Sequence, residues 1–225
     1  MIKIQFSKRI KYIANEVKYD TLADIGTDHA YIPIHCCKTK DMKKVIACDM
    51  NPSPLSRATN NITHYNLSSK IQTRLCNGLK GIEIGEVESV TIGGMGGFLI
   101  IDILNDAIDV VKNLKQLILQ PQQDINEVRK YLHKIGFKIS GEKMLIEDSK
   151  FYNILICEVG VETQYAKKEY EFGKILIDEK NNILKQFIEI KLEKMQKIKN
   201  QINKKSNSNY DDSLQKLYEE VLKCL

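Results

Sequence analysis

Residues Thr21–Pro33, TLADIGTDHAYIP, decide how the rest of this chain is read. Leu22, Ala23 and Ile25 make a short apolar run that suits a buried parallel strand, and Gly26 ends it with a tight turn. Two carboxylates, Asp24 and Asp28, flank that glycine, and His29 follows at once. From Ala30 onward an apolar segment reads as a helix. A strand feeding a polar turn that opens a helix is where doubly wound sheets bind ligands, beyond the carboxyl ends of their strands. The plainer reading has the two aspartates capping a turn beside an exposed histidine. Three polar groups so close together on such a turn favour a site. It is not the dinucleotide fingerprint, because G-x-G-x-x-G needs two more glycines than Gly26 supplies.

Downstream, the same pattern repeats. Lys43–Asp49, KKVIACD, is a second short apolar run ending in a carboxylate, and Asp49 stands 23 residues after Gly26. In nucleotide-binding βαβ units an acidic residue at about that distance accepts hydrogen bonds from a ribose hydroxyl. Pro52 or Pro54 then starts a helix near Leu55–Tyr65, since proline is tolerated in a first turn. Ile71–Cys76 is the third strand, closed by Asn77-Gly78, either a simple turn or a loop facing a ligand. The fourth, SVTIGG, runs into Gly93-Gly94-Met95-Gly96-Gly97. Glycine is costly to order, so this density at a strand-to-helix junction points to close approach of backbone and ligand. A helix is expected from about Phe98 to Val111, a fifth strand at KQLILQ ending in Gln120-Pro121, and a helix over Asp124–Ile135 closed by Gly136. FKISGEKMLI and FYNILICEV, separated by Glu147–Lys150, read as an antiparallel pair at one edge of the sheet. The result is an open α/β sheet over residues 1–160.

Two segments of the chain are basic. Residues 1–20 carry net charge +3, on a helix that Ser7 would cap, and the arm Ile183–Lys205 carries +5. Over residues 161–225 there are no strand signals. Leu184, Ile188, Met195, Ile198 and Ile202 recur at near-heptad spacing, and Leu214, Leu217, Val221 and Leu225 follow a polar break. That pattern predicts an antiparallel coiled-coil hairpin whose apolar stripe is wide enough for one partner. The whole chain of 225 residues, 43% hydrophobic, suffices for one sizeable core with an appendage. Its six cysteines form no C-x-x-C pair and read as free thiols of a reducing cytosol, not as a metal site. No signal peptide or membrane span is read, so a cytoplasmic protein is expected.

Asp24-Ile-Gly26, Asp49 and Asn77-Gly78 resemble the S-adenosylmethionine site of class I methyltransferases. GTDHAYIP followed by GGMGG and LILQP is more specific. With the KFYN segment, these motifs resemble, in order and over essentially the whole chain, the bacterial tRNA (adenine-22-N1)-methyltransferase family. The resemblance implies a Rossmann-like sheet and S-adenosyl-L-methionine as cofactor. Asp24 and Gly26 would line its methionine end, Asp49 with Met50 its ribose, and Asn77 with Gly78 its adenine, with Gly93, Gly94 and Met95 also beside it. Many class I enzymes have a second glycine where this chain has Asp28, so that carboxylate is assigned to the reaction with His29 and Tyr31. Gly96, Gly97, Gln120, Pro121 and Tyr152 would contact the substrate, and Lys191, Lys194 and Lys197 its phosphates.

N1 of adenine already carries an in-plane lone pair, so alignment and exclusion of water would be the enzyme's main work. Lying on the Watson–Crick edge, N1 must be unpaired or flipped out before it reacts. The implied partner is tRNA, with no membrane, no obligatory protein partner and a monomer or weak dimer. Two other readings remain: a small-molecule methyltransferase, and a non-catalytic RNA-binding protein with a methyltransferase-like shell. The basic segments disfavour the first, and the retained Asp49 and glycine turns disfavour the second.

Overall fold

In the computed structural model, which describes residues 6–205 and 212–225 (main chain only for 202–205), the apolar run at Thr21–Ile25 is strand β1. It is followed by β2 (Lys44–Asp49), β3 (Ile71–Leu75), β4 (Ser89–Met95) and β5 (Gln116–Pro121), then β6 (Phe137–Glu147) and β7 (Lys150–Val159). These strands form one sheet in the order β3-β2-β1-β4-β5-β7-β6. The first five pair in parallel, and β7 runs antiparallel to both β5 and β6. The expected antiparallel edge pair is therefore present. The reversal of strand order beside β1 brings the carboxyl ends of β1 and β4 together, and a ligand site belongs there.

Alternation along the strands divides the core in two. Ala23, Ile25, Ile46, Val90, Ile92 and Leu117 face one side, where they pack on α4 (Gly97–Asn105) and α6 (Ile125–Lys134). Leu22, Val45, Ala47 and Ile118 face the other, under α1 (Lys8–Glu16), α2 (Tyr31–Thr39) and α3 (Pro52–His64). Ser7 caps α1 as read from the sequence, its hydroxyl accepting from the Ile10 N–H at 3.3 Å.

Two element boundaries differ from expectation. The fourth strand runs through the glycines to Met95 with a bulge between Gly93 and Met95, since Gly94, at φ +78°, lets the ladder bend without ending it. The single helix expected after it is broken into α4 and a short α5 (Ile108–Val111). Asn105 and Asp106 at the break are poor residues for a helix interior, and Asp106 is drawn out to Lys80 at 2.6 Å.

Beyond β7 the chain forms α7 (Lys167–Phe172), α8 (Lys174–Asp178), α9 (Asn182–Lys205) and α10 (Ser213–Leu222). The stripe on α9 meets more than one partner. Leu184 and Ile188 are buried in a cluster with Met144 of β6, Phe172, Leu176 and Ile177, as well as Tyr218 and Val221 of α10. Phe172 meets Tyr218 edge to face at 4.7 Å, and Phe187 meets Phe151 of β7 at 5.3 Å. Each large side chain buried there contributes about 1.5–3 kcal/mol. Toward the far end of α9, Ile198 is half exposed, as is Leu214 on α10. The helix pair thus docks on the sheet edge through its near half. Lys3, the Ile202 side chain and most of the polar break fall outside the described residues.

A buried ion pair fastens this segment to the sheet. Arg129 of α6 and Glu142 of β6 are each 1% exposed and meet at 2.8 Å. The same guanidinium donates to the carbonyl of Tyr170 at 2.7 Å, and Glu142 accepts from the Ile175 N–H at 3.1 Å. A side chain at Gly173 would stand 2.6 Å from that carboxylate, so glycine is required where α7 turns into α8.

Candidate active site

The β1–α2 turn is held in a costly conformation by many local bonds. Asp28 (φ +32°) and Ala30 (φ +56°) both lie in the left-handed region that side-chain-bearing residues avoid. The amides of Gly26 and Thr27 both donate to the Cys48 carbonyl at 2.9 Å, which ties the turn to the end of β2. Ala30 N–H donates to the Thr27 carbonyl at 2.7 Å, and the Asn61 side chain of α3 donates to the His29 carbonyl at 3.0 Å. Strain that the surroundings over-determine is a mark of functional turns.

Within the turn, Asp24 is 5% exposed, with one carboxylate oxygen accepting from Thr27 Oγ1 at 2.7 Å and the other from Thr91 Oγ1 at 2.6 Å. Burial raises its pKa, which the two hydroxyl bonds oppose. With both oxygens engaged, its first task is to fix the turn. Gly26 has φ +75°, where any side chain is strained, and a Cβ there would also displace the Met95 methyl, 2.3 Å away.

These elements border a cleft of about 500 Å³. Its floor is Asp24, Gly26, Thr27, Gly93 and Gly94, and one wall is Asp28, His29 and Tyr31. The rings of His29 and Tyr31 stack at 4.9 Å, 9° from parallel. Asp28 is exposed toward the cleft mouth, pairs with Arg57 of α3, and has His29 Nε2 at 3.5 Å. The opposite wall is Ser7 and Arg9 of α1 with Glu147, Asp148 and Tyr152 of the β6–β7 hairpin. Arg9 lies over the Tyr152 ring at 5.0 Å, and its guanidinium donates to Gln120 Oε1 at 2.9 Å.

The remaining predicted residues divide in three. Asp49 is buried at the end of β2, its Oδ1 accepting from the Asn51 N–H at 2.8 Å, while Met50 and Asn77 beside it are exposed. Cys76, just before Asn77, has its thiol pKa lowered, chiefly by a hydrogen bond with Cys48 and also by Arg74, against the opposing effect of burial. Gly78 takes φ +58° and packs on Ile103. Asp49 ends β2 and Asn77 follows β3, the strands next in order after β1 in the sheet, and both lie outside the lining of the cleft.

Three residues expected to touch substrate do not face it. Gly97 is buried, and a Cβ there would stand 2.6 Å from the carbonyls of Gln123 and Asp124, so its part is close packing. Gln120 is 1% exposed and Pro121 is buried, so this pair holds Arg9 and the strand end instead. Gly96 is half-buried in the same loop, behind which stands Gln123. Lys191, Lys194 and Lys197 are exposed on α9, away from the cleft lining.

Sequence reading missed Arg57, Glu147 and the inward turn of Arg9. Arg57 lies 29 residues from Asp28, and Arg9 lies 111 from Gln120, so no local pattern could join them.

Comparison with known proteins agrees with this geometry. The family described as tRNA (adenine(22)-N(1))-methyltransferase matches residues 22–223. The tRNA (adenine(22)-N(1))-methyltransferase of Bacillus subtilis is 34% identical over 161 residues, covering 71% of this chain and 68% of that protein. The Streptococcus pneumoniae protein Sp1610 in complex with S-adenosyl-L-methionine superposes with a TM-score of 0.86 at 33% identity, over 97% of this chain and 100% of that one. Mycoplasma capricolum TrmK, in complex with the cofactor product S-adenosyl-homocysteine, gives 0.81 at 26% identity, over 97% and 96%.

Proposed function

The chain belongs to the tRNA (adenine(22)-N(1))-methyltransferase family, and from that premise we propose how its residues divide the work. The reaction is S-adenosylmethionine-dependent methylation of N1 of adenine 22 in tRNA. When bound, the cofactor supplies an electrophilic methyl group on a sulfonium.

The donor set fits that cofactor. Asp49 has one carboxylate oxygen without a protein donor among the described residues, which suits ribose hydroxyls. Asn77, exposed beside it, suits the adenine edge. Gly26, at a φ that strains any side chain, keeps the β1–α2 turn tight beside the methionine end.

Asp28 is assigned to the target base. Its carboxylate accepts a hydrogen bond from the adenine N6 amine, exchanging Arg57 for it as the base enters. An anion there also favours the positive charge that adenine gains on methylation, an electrostatic effect stronger in a water-poor site. His29 and Tyr31 position the ring, and Tyr152 with Arg9 closes the far wall. No general base is required, because N1 has no proton to lose.

The observation that carries this reading is the strained turn, whose Asp28, His29 and Tyr31 line one cleft with Asp24, Gly26, Gly93 and Gly94. Asp28→Asn keeps the shape but replaces an acceptor-only group by a neutral amide. Its turnover is expected to fall roughly 10- to 100-fold, as for removal of one charged hydrogen bond, with cofactor affinity within twofold of the parent. Turnover at the parent rate would remove Asp28 from the reaction.

We also infer two domains, 1–160 for cofactor and catalysis and 161–225 for tRNA, in a cytoplasmic monomer or weak dimer without an obligatory protein partner. Sedimentation with and without tRNA tests the oligomeric state.

A further inference from the structure

Behind the catalytic loop lies a second cleft, of about 380 Å³, between the β6–β7 hairpin, the turn after β5 and the helix α9. That volume is at the lower end of the range for small-ligand pockets, about 300–1,000 Å³. We propose that it holds one unpaired nucleotide of the tRNA substrate, distinct from the target adenine.

The lining chemistry argues for a nucleobase. Phe151 and Phe187 present aromatic rings, and Gln122, Gln123 and Asn153 present carboxamides. Among the described residues, those three side-chain amides have no hydrogen-bond partner within the protein. Flat apolar surface beside free donor–acceptor pairs is the combination that recognises single-stranded bases, by stacking and by bonding to their edges. Lys191, over the Phe187 ring at 5.3 Å, stands at the rim with its charge available to a phosphate. The carboxylates of Asp124 and Glu171, which also line the cleft, favour a base edge that carries an amino or imino donor over a second phosphate.

Position argues for the same substrate molecule. The register Leu145↔Tyr152 and Met144↔Asn153 puts Tyr152 on one face of the hairpin and Asn153 with Met144 on the other. Tyr152 lines the catalytic cleft, while its neighbours Phe151 and Asn153 line this one. The turn after β5, which lines this second cleft, is also bonded to the glycine stretch at the end of β4. Gln122 N–H donates to the Met95 carbonyl at 2.8 Å, and Gly97 N–H donates to the Gln123 carbonyl at 3.0 Å. A tRNA strand that delivers a flipped adenine to the first cleft would pass the hairpin whose other face lines the second. Such a contact would help hold the target out of its stack, a step that costs a few kcal/mol. The lining amides also offer a means of discriminating among tRNAs that lysine–phosphate contacts lack.

Two experiments on the full chain with an unmodified tRNA transcript test this. The Gln123→Ala, Asn153→Ala double variant is expected to raise KM for tRNA about tenfold, with cofactor affinity by calorimetry and thermal midpoint unchanged. In the second, p-benzoylphenylalanine replaces Lys191, and after irradiation the crosslinked nucleotide is mapped by primer extension. The proposal expects one unpaired nucleotide other than adenine 22. A tRNA KM equal to the parent's in the double variant would overturn it, as would crosslinks confined to base-paired stems, to adenine 22 itself, or absent. The inference rests on tRNA as substrate and not on Asp28. A parent protein that leaves the transcript unmethylated would refute the function, whereas a methylating parent matched by the double variant refutes only the second cleft.

Discussion

The β1–α2 turn and the C-terminal helices are built by opposite means. In the turn, most bonds join residues close in sequence or on paired strands, such as Thr27 to Asp24, Ala30 to Thr27, and Gly26 and Thr27 to Cys48, with Asn61 and Arg57 of α3 added from outside. In the C-terminal segment, the decisive contacts cross the chain: Arg129 to Tyr170, Glu142 to Ile175, Phe151 to Phe187. The first arrangement gives a rigid site whose geometry is fixed before a ligand arrives. The second gives a docked surface that depends on a few long-range anchors. Cofactor chemistry needs precision within about half an ångström, whereas a tRNA surface needs reach and charge.

The largest effect should come from breaking the anchor. Arg129→Met leaves Glu142 buried without its partner, and removing one member of a buried pair costs about 3–5 kcal/mol. Urea unfolding should register that loss. Arg129→Met combined with Glu142→Leu should recover much of it, because the uncompensated charge is gone. A single variant as stable as the parent would show that the C-terminal helices dock by apolar contact alone. The same geometry argues against cutting the chain at residue 160, since Arg129 would lose its acceptors on Tyr170 and Glu171.

A smaller effect, confined to the other region, is expected at the β2 end. Asp49→Ala should weaken S-adenosylmethionine binding by about 1.5–3 kcal/mol for each charged hydrogen bond removed. Binding of tRNA without cofactor should be unaffected. Calorimetry showing parental cofactor affinity would take Asp49 out of the site, and a parallel drop in tRNA affinity would mean that the two regions are not separable.

This contrast also sets what the sequence discloses. Apolar runs ending in Asp49 or in the Gly93–Gly97 stretch are local, so the strands and the loops at their carboxyl ends are readable from them. The near-heptad spacing of Leu184 and Ile188 says which face of α9 is apolar but not what covers it. The cover includes Met144 and Phe172, which a coiled-coil reading leaves out. Burial is equally silent in sequence. Gln120 and Gly97 stand in motifs that suggest substrate contact, yet the fold turns them inward to support Arg9 and the α6 entry. Arg57 sits in an ordinary helix, and only the crossing of α3 over the turn brings it to Asp28.

The gentlest test of the C-terminal surface removes charge without moving a helix. Lys191, Lys194 and Lys197 are all exposed, so replacing them by glutamine should leave stability unchanged. Affinity for tRNA should fall several-fold. The slope of log affinity against log salt should become shallower by about 2–3, since each phosphate that a lysine no longer neutralises is worth roughly 0.7–0.9. An unchanged slope would make this face of α9 a solvated surface.

The central claim is that a strained turn at the carboxyl end of β1 delivers one methyl group to one ring nitrogen of tRNA. The direct measurement is to incubate the full-length protein with S-adenosylmethionine and an unmodified tRNA transcript bearing adenine at position 22, then map the product by nuclease digestion and mass spectrometry. The account predicts a single added methyl, as N1-methyladenosine at position 22. A methyl on N6, at another position, or on no nucleotide at all would contradict it.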